Sequence, residues 1–142
     1  MLPPIALSSG IRTHTTPPVK LPAAPRVLVV DDDLSIVQLV SALLRREGFN
    51  VEATTESTAA LARLAAEPDG FDALISDHEM PLLCGSELID RARAAGFRGK
   101  VILHSGSVTG EAGAEKARRA DAVLEKPFGV RTLVPVLRAL VM

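Results

Sequence analysis

Four short apolar runs of the sequence each end in polar residues whose side chains could take part in chemistry. One run is followed by three acids, and the other three by a fourth acid, a hydroxyl group and an ammonium group: Asp31-Asp32-Asp33, Asp77, Ser105 and Lys126. Carboxylates bind hard divalent cations, and phosphoryl transfer needs mainly positioning and neutralisation of charge. The set therefore predicts a magnesium-assisted site that accepts a phosphoryl group.

The elements that must position these residues follow from the hydrophobic pattern. Short β-branched apolar runs, typical of buried strands, occur at 26–30, 50–53, 71–76, 100–104 and 122–125. Between them, apolar residues at helical spacing predict a first helix that Gly48 ends, and then helices at 58–66, 86–95, 111–119 and 130–141. Five strands alternating with five helices predict an α/β fold. We expect a doubly wound five-stranded parallel sheet in the order 2-1-3-4-5, with helices on both faces.

Local signals refine the helix ends and faces. Asp33 or Ser35 is expected to cap the first helix, which should bury Ile36, Leu39, Val40, Leu43 and Leu44. Ser57 is expected to cap the second helix. Pro135 denies a hydrogen bond to the carbonyl of Arg131, so the last helix should be kinked or start late.

The predicted strand order determines which strand ends meet. In such a sheet the carboxyl ends of strands one and three are neighbours, which brings Asp31 and Asp32 beside Asp77. Three ionised carboxylates in one small volume repel one another, so either their pKa values rise or a divalent cation binds. Magnesium suits such oxygen ligands, Ser105 offers a hydroxyl donor, and Lys126 offers a positive charge to a phosphoryl oxygen.

Each of these residues also has an ordinary structural interpretation. Asp32 or Asp33 could cap a helix, Ser105 could be a turn hydroxyl, and Lys126 a solvated lysine. His78 and His104 fit loop or strand-end positions better than ligand positions, although either could reach the site. The order of an acid pair, an acid, a hydroxyl and a lysine at successive strand ends favours a functional site.

Composition excludes several classes of function. The chain has 142 residues and a net charge of −1, so it lacks the basic surface that nucleic acid or an anionic membrane would need. A single cysteine, Cys84, rules out an intramolecular disulfide and favours a cytoplasmic location. Residues 1–24 hold five prolines and predict a disordered arm, which leaves 25–142 as the folded domain.

With these motifs in this order, the chain resembles the receiver domains of two-component response regulators. The matching residues are Val29-Val30-Asp31-Asp32, Asp77-x-x-Met80-Pro81-x-x-x-Gly85, Ser105-Gly106 and Lys126-Pro127-Phe128. The resemblance implies a flavodoxin-like fold of receiver type, with Asp77 as the phosphoacceptor, Ser105 as the switch hydroxyl and Lys126 as the counter-charge. It also implies that Mg²⁺ is bound directly by Asp32, Asp77 and the backbone carbonyl of Glu79, and through water by Asp31.

The resemblance further implies a function. Such a domain takes a phosphoryl group from a sensor histidine kinase or a histidine phosphotransfer protein, catalysing only its own phosphorylation and dephosphorylation. It then signals by contact with a downstream protein, which the sequence does not name. No DNA-binding or enzymatic region follows Val141 in this sequence, so we expect a stand-alone receiver.

Three positions depart from the family pattern or modify it. Val123 stands where a switch aromatic residue is expected, and the chain has no Tyr or Trp. Coupled rotation of a hydroxyl and an aromatic ring is therefore not expected. Glu79 and Ser107 occupy positions that in this family influence dephosphorylation.

Two alternatives stay open at the level of the sequence. A degenerate receiver could bind partners constitutively without being phosphorylated. Alternatively, the segment Val27 to Ser35 resembles the first motif of haloacid-dehalogenase-type phosphatases, with Asp31 as nucleophile and Asp33 as acid and base. That second family needs a further acidic pair after the lysine, and no Asp or Glu follows Glu125.

Overall fold

The computed structural model of the protein describes residues 23–106, 110–126 and 130–142. These residues form five strands and five helices in strict alternation. The strands are β1 (Arg26–Val30), β2 (Asn50–Thr54), β3 (Ala73–Asp77), β4 (Lys100–Ser105) and β5 (Ala122–Glu125). The helices are α1 (Leu34–Arg46), α2 (Ser57–Ala66), α3 (Gly85–Ala94), α4 (Gly110–Arg119) and α5 (Val130–Val141). Most of the predicted arm, together with Ser107, Pro127 and Phe128, lies outside the described residues.

The strands form one parallel sheet in the order β2-β1-β3-β4-β5, which confirms the predicted topology. Consecutive parallel strands need crossover connections, and a helix supplies each one. The chain order reverses between β1 and β3, so the carboxyl ends of these two strands flank the crevice of the sheet. Among the helices that the structure describes, none is long and apolar enough to cross a membrane.

The core consists of two apolar layers, one on each face of the sheet. Residues of β1 alternate between them: Val27 and Val29 pack in the layer beneath α1 and α5, and Leu28 and Val30 in the layer beneath α2 and α3. Both faces of this central strand are covered, which explains its continuous apolar sequence. The alternation also determines the face on which each residue at a strand end projects.

Local backbone chemistry sets the ends of several elements. The Asp33 carboxylate caps α1 by accepting a hydrogen bond from the backbone N–H of Ser35 at 2.9 Å, as predicted. Gly48 and Gly96 follow α1 and α3 with φ of 99° and 104°, a conformation in which the absence of a Cβ removes the usual steric penalty.

The structure corrects three of the local predictions. Ser57 does not cap α2; its buried hydroxyl donates to the carbonyl of Pro81 at 2.9 Å, and Glu56 occupies the cap position. Leu39 is 64% exposed, whereas Val37 is buried on the inner face of α1. Pro135 lies within α5, which begins at Val130, so of the two effects expected of this proline the late start is not observed.

Candidate functional site

Sheet register places three titratable side chains side by side. Val30 pairs with Ser76, and Asp77 pairs with His104, so Asp31, Asp77 and His104 occupy adjacent positions at the ends of β1, β3 and β4. Because side chains alternate along a strand, all three project on the face of the sheet whose apolar residues pack beneath α1 and α5. Each has a ligand atom within 4.8 Å of the other two, and none is more than 1% exposed. The predicted meeting of the acids is therefore observed for Asp31 and Asp77, with His104 as an added member.

Asp31 is fully buried and only half hydrogen-bonded. Its Oδ1 accepts a hydrogen bond from the backbone N–H of Asp33 at 2.9 Å, whereas its Oδ2 has no hydrogen-bond partner among the described residues. Burial raises the pKa of Asp31 from 3.8 to about 6, and the neighbouring Asp77 carboxylate adds to the shift. A buried carboxylate oxygen without a donor is a position that a bound cation would stabilise.

Asp77 is held by a lysine and by the backbone. Lys126 Nζ lies 2.9 Å from Asp77 Oδ1, and the backbone N–H of Glu79 donates to the same oxygen at 3.2 Å. Lys126 Nζ is also 3.7 Å from Asp31 Oδ2, so one ammonium faces both buried acids. Burial alone would lower the pKa of Lys126, but its hydrogen bond to Asp77 raises it overall, so the lysine stays charged.

His104 lies beside Asp31 and is neutral at pH 7. Its Nε2 is 3.7 Å from Asp31 Oδ2, and the side chain is 1% exposed. Burial lowers the pKa of His104 from 6.5 to about 4, and the charge of Lys126 contributes. The sequence interpretation of His104 as a strand-end residue is correct, and the pairing with Asp77 shows why it also reaches the site.

A second polar cluster lies on the opposite face of the sheet end, around Ser105. Ser105 Oγ donates to the Glu79 carboxylate, at 2.9 Å from Oε2 and 3.2 Å from Oε1, and the backbone N–H of Gly106 donates to Oε1 at 3.0 Å. Lys116 Nζ of α4 donates to Ser105 Oγ at 2.8 Å, and Lys116 is only 5% exposed. Sequence reasoning did not single out Lys116. The signal was its spacing of three from Gly113, the other buried residue of α4.

A loop with a tight packing contact connects β3 to α3 behind the site. The Gly85 N–H donates to the carbonyl of His78 at 2.8 Å. A Cβ on Gly85 would lie 2.5 Å from Leu103 Cδ1 and 2.7 Å from the carbonyl oxygen of Asp77. Glycine is therefore required here by close approach of the chain to the residue that carries the site's central carboxylate.

Comparison with known proteins is consistent with this geometry and identifies the family. The family model described as "Response regulator receiver domain" matches residues 27–138. The chain belongs to that family. Receiver domains are signalling domains of two-component systems, so the expected family and the flavodoxin-like fold of receiver type are confirmed.

Solved structures agree with the fold of this receiver domain. Chemotaxis protein CheY4 of Vibrio cholerae is 33% identical with a TM-score of 0.74, and the match covers 83% of this chain and 99% of that one. A CheY-like receiver domain from Methylobacillus flagellatus is 26% identical with a TM-score of 0.72, covering 82% of this chain and 98% of that one.

Curated relatives are larger than this chain. The transcriptional regulatory protein CutR of Streptomyces coelicolor is 32% identical over 118 residues, which are 81% of this chain and 52% of CutR. The transcriptional regulatory protein PrrA of Mycobacterium tuberculosis is 34% identical over 118 residues, which are 82% of this chain and 50% of PrrA. The receiver chain thus spans about half the length of these relatives.

The remaining predicted residues of the receiver differ in their placement. Asp32 is exposed and lies outside the buried cluster, so its role as a direct metal ligand stays a prediction, as does that of the Glu79 carbonyl. Val123 is half-buried and packs against the core layer that also holds Leu103. The donor set fits a divalent cation, because Asp31 Oδ2 and the Asp77 carboxylate converge in one buried volume.

Proposed function

We propose that this receiver accepts a phosphoryl group on Asp77 from a histidine kinase or a histidine phosphotransfer protein, in a Mg²⁺-dependent reaction. It then signals by contact with a downstream protein and not with nucleic acid or membrane. The observation that carries the proposal is the buried Asp77 carboxylate with Lys126 Nζ 2.9 Å away and the acidic Asp31 beside it. The predicted cytoplasmic location and the assignment of 25–142 as one domain remain part of this proposal.

The chemistry follows from the hydrogen bonds at Asp77. Its Oδ1 accepts hydrogen bonds from Lys126 and from the Glu79 N–H, which leaves Oδ2 as the oxygen that attacks phosphorus. A P–O bond forms to Oδ2 as the P–N bond of the donor phosphohistidine breaks, and the electron pair leaves with the imidazole. Lys126 offsets the negative charge that the acyl phosphate brings into a buried site.

A bound Mg²⁺ would neutralise charge on the acids and on the phosphoryl oxygens. Asp31 and Asp77 would hold it, together with the predicted ligands Asp32 and the Glu79 carbonyl. Burial raises the pKa of Asp31 to about 6 and the nearby Asp77 carboxylate adds to the shift, which supports a cost for ionising both acids without a cation. The acids therefore need such a cation before a doubly charged phosphoryl group arrives.

Two alternatives to phosphoryl acceptance on Asp77 are a phosphatase and a constitutive binding module. Family membership and the use of the Asp33 carboxylate as a helix cap argue against a phosphatase that employs Asp31 and Asp33. A constitutive, unphosphorylated binding module would show no Mg²⁺-dependent affinity for beryllofluoride, which mimics the phosphoryl group. Binding of beryllofluoride by the wild-type chain therefore separates the two receiver hypotheses.

The direct test is incorporation of radioactive phosphate from acetyl phosphate in the presence of Mg²⁺. The wild-type chain should be labelled, and Asp77→Asn should not be. Asp69→Asn, which removes an exposed acid on a distant turn, is the matched control and should be labelled like the wild type. Full labelling of Asp77→Asn would refute the assignment. Transfer from purified histidine kinases of the source organism would then identify the donor.

A further inference from the structure

The Glu79 carboxylate accepts hydrogen bonds from two donors at the end of β4. Both Ser105 Oγ and the Gly106 N–H point at it, at 2.9–3.2 Å and 3.0 Å. A carboxylate that accepts these hydrogen bonds is stabilised in its anionic form. An anion thus already occupies a pair of donors of the kind that a phosphoryl oxygen requires.

These donors lie at the end of β4, the strand that pairs with the one carrying the predicted phosphoacceptor. Ser105 follows His104, which pairs with Asp77, and the carbonyl of Ser105 accepts a hydrogen bond from the Lys126 N–H at 2.8 Å. Glu79 is two residues beyond Asp77 and reaches across the loop to them. The donors, the Glu79 carboxylate and Lys126 are therefore held at the adjacent carboxyl ends of β4, β3 and β5.

Lys116 determines the direction of the Ser105 proton. An ammonium group only donates hydrogen bonds, so Ser105 Oγ is the acceptor in its 2.8 Å contact with Lys116 Nζ. The single hydroxyl hydrogen of Ser105 must then point to another acceptor, and the Glu79 carboxylate is that acceptor. Because Lys116 belongs to α4, the state of Ser105 is linked to this helix by a buried polar contact.

From this geometry we propose that Glu79 is an internal competitor: in the resting receiver its carboxylate occupies Ser105 Oγ and the Gly106 N–H, and a phosphoryl group on Asp77 must displace it. Lys116 is a positioning residue that keeps the Ser105 proton aimed at whichever anion is present and transmits the exchange to α4. The inference rests on the proposed function, because it needs a phosphoryl group on Asp77.

The test measures beryllofluoride affinity in Mg²⁺ by NMR titration of the full chain. We expect Glu79→Ala to bind most tightly, Glu79→Gln next and wild type least, with about a tenfold gain for Glu79→Ala. The Gln side chain keeps a weaker, neutral acceptor, so a graded series of affinities indicates competition for the donors. Equal gains in affinity for Glu79→Gln and Glu79→Ala would indicate charge repulsion alone and would overturn the proposal. Glu56→Gln changes an exposed acid and should bind like wild type.

Two spectroscopic readouts separate this role from a merely structural one. The Gly106 amide proton should shift upfield in metal-free Glu79→Ala, because it loses its carboxylate acceptor. Lys116→Met should still bind beryllofluoride, but the amide shifts of α4 that accompany binding should be at least halved. Lys100→Met, at an exposed position, should retain them.

The outcomes distinguish this inference from the proposed function. Equal affinity of wild type and both Glu79 variants overturns the competition while leaving phosphoryl acceptance intact. Unchanged α4 shifts in Lys116→Met overturn the link to α4. Failure of every variant to bind beryllofluoride, together with the absence of phosphate label on wild type, overturns both the inference and the function on which it rests.

Discussion

The buried pair of Asp31 and His104 should give the protein two opposing pH dependences that nearly cancel. The pKa of Asp31 is raised from 3.8 to about 6, so the folded state holds its proton more tightly than the unfolded chain. Stability from this group is therefore present below pH 4 and lost as the pH rises through 6. At about 1.4 kcal/mol per pH unit the loss is about 3 kcal/mol.

His104 acts in the opposite direction. Its pKa is lowered from 6.5 to about 4, so the unfolded chain binds the proton more readily than the folded protein. Stability from this group is present above pH 6.5 and lost as the pH falls through 4, by about 3 kcal/mol on the same scale. The two slopes cover nearly the same range, so their sum is almost flat in the wild type.

A single substitution at either residue should leave the pH dependence of stability that the other residue causes. As the pH rises from 4 to 7, the free energy of unfolding of Asp31→Asn should increase by about 3 kcal/mol relative to that of wild type, because only the wild type must ionise a buried acid. His104→Leu should change relative to wild type by a similar amount in the opposite sense. Packing changes add only an offset that does not vary with pH.

The assay is urea unfolding followed by circular dichroism at pH 4 to 7, with EDTA to remove divalent cations. Circular dichroism is needed because the chain has no Trp or Tyr for fluorescence. A difference between Asp31→Asn and wild type that stays constant across this pH range would refute the raised pKa of Asp31. A difference of the opposite sign would show that Asp31 and His104 form an ion pair instead of two neutral groups.

Three further predictions concern the residues around this pair. Gly85→Ala should lower the free energy of unfolding by about 1–3 kcal/mol, because its Cβ would overlap Leu103 and the backbone of Asp77. Gly106→Ala is the control, because its Cβ would lie 3.6 Å from its nearest neighbour. Equal effects of the two substitutions on the urea midpoint would contradict the argument. Asp33→Ala should cost about 1 kcal/mol by removing the α1 cap, measured as the same midpoint shift; an unchanged midpoint would show that water replaces the cap. Lys126→Met should slow phosphate labelling roughly 100-fold while the fold is retained, and labelling at the wild-type rate would mean that the ammonium group contributes nothing to acceptance.

The parts of the fold that were predicted correctly are those governed by local chemistry. β1 has its predicted bounds because a buried apolar run of this length fits a strand covered on both faces. β5 also has its predicted bounds, although it is an edge strand whose residues are half-buried or exposed. Gly48 and Gly96 end helices because the backbone there has positive φ. Ser57 was misassigned as a cap because a serine before a helix can equally bond a distant carbonyl, and only packing against Pro81 decides which bond it makes.

Hydrophobic periodicity and turn chemistry, which are local properties of the chain, predicted the fold class and the strand-end residues that could take part in a reaction. The strand order was expected from the general topology of doubly wound sheets, and the observed pairing confirms it. Tertiary contacts set which of those side chains share a pocket. Sheet register brings His104 beside Asp31 and Asp77, and packing of α4 buries Lys116 against Ser105. Both depend on contacts between residues far apart in sequence, where spacing along the chain carries no information about distance or burial.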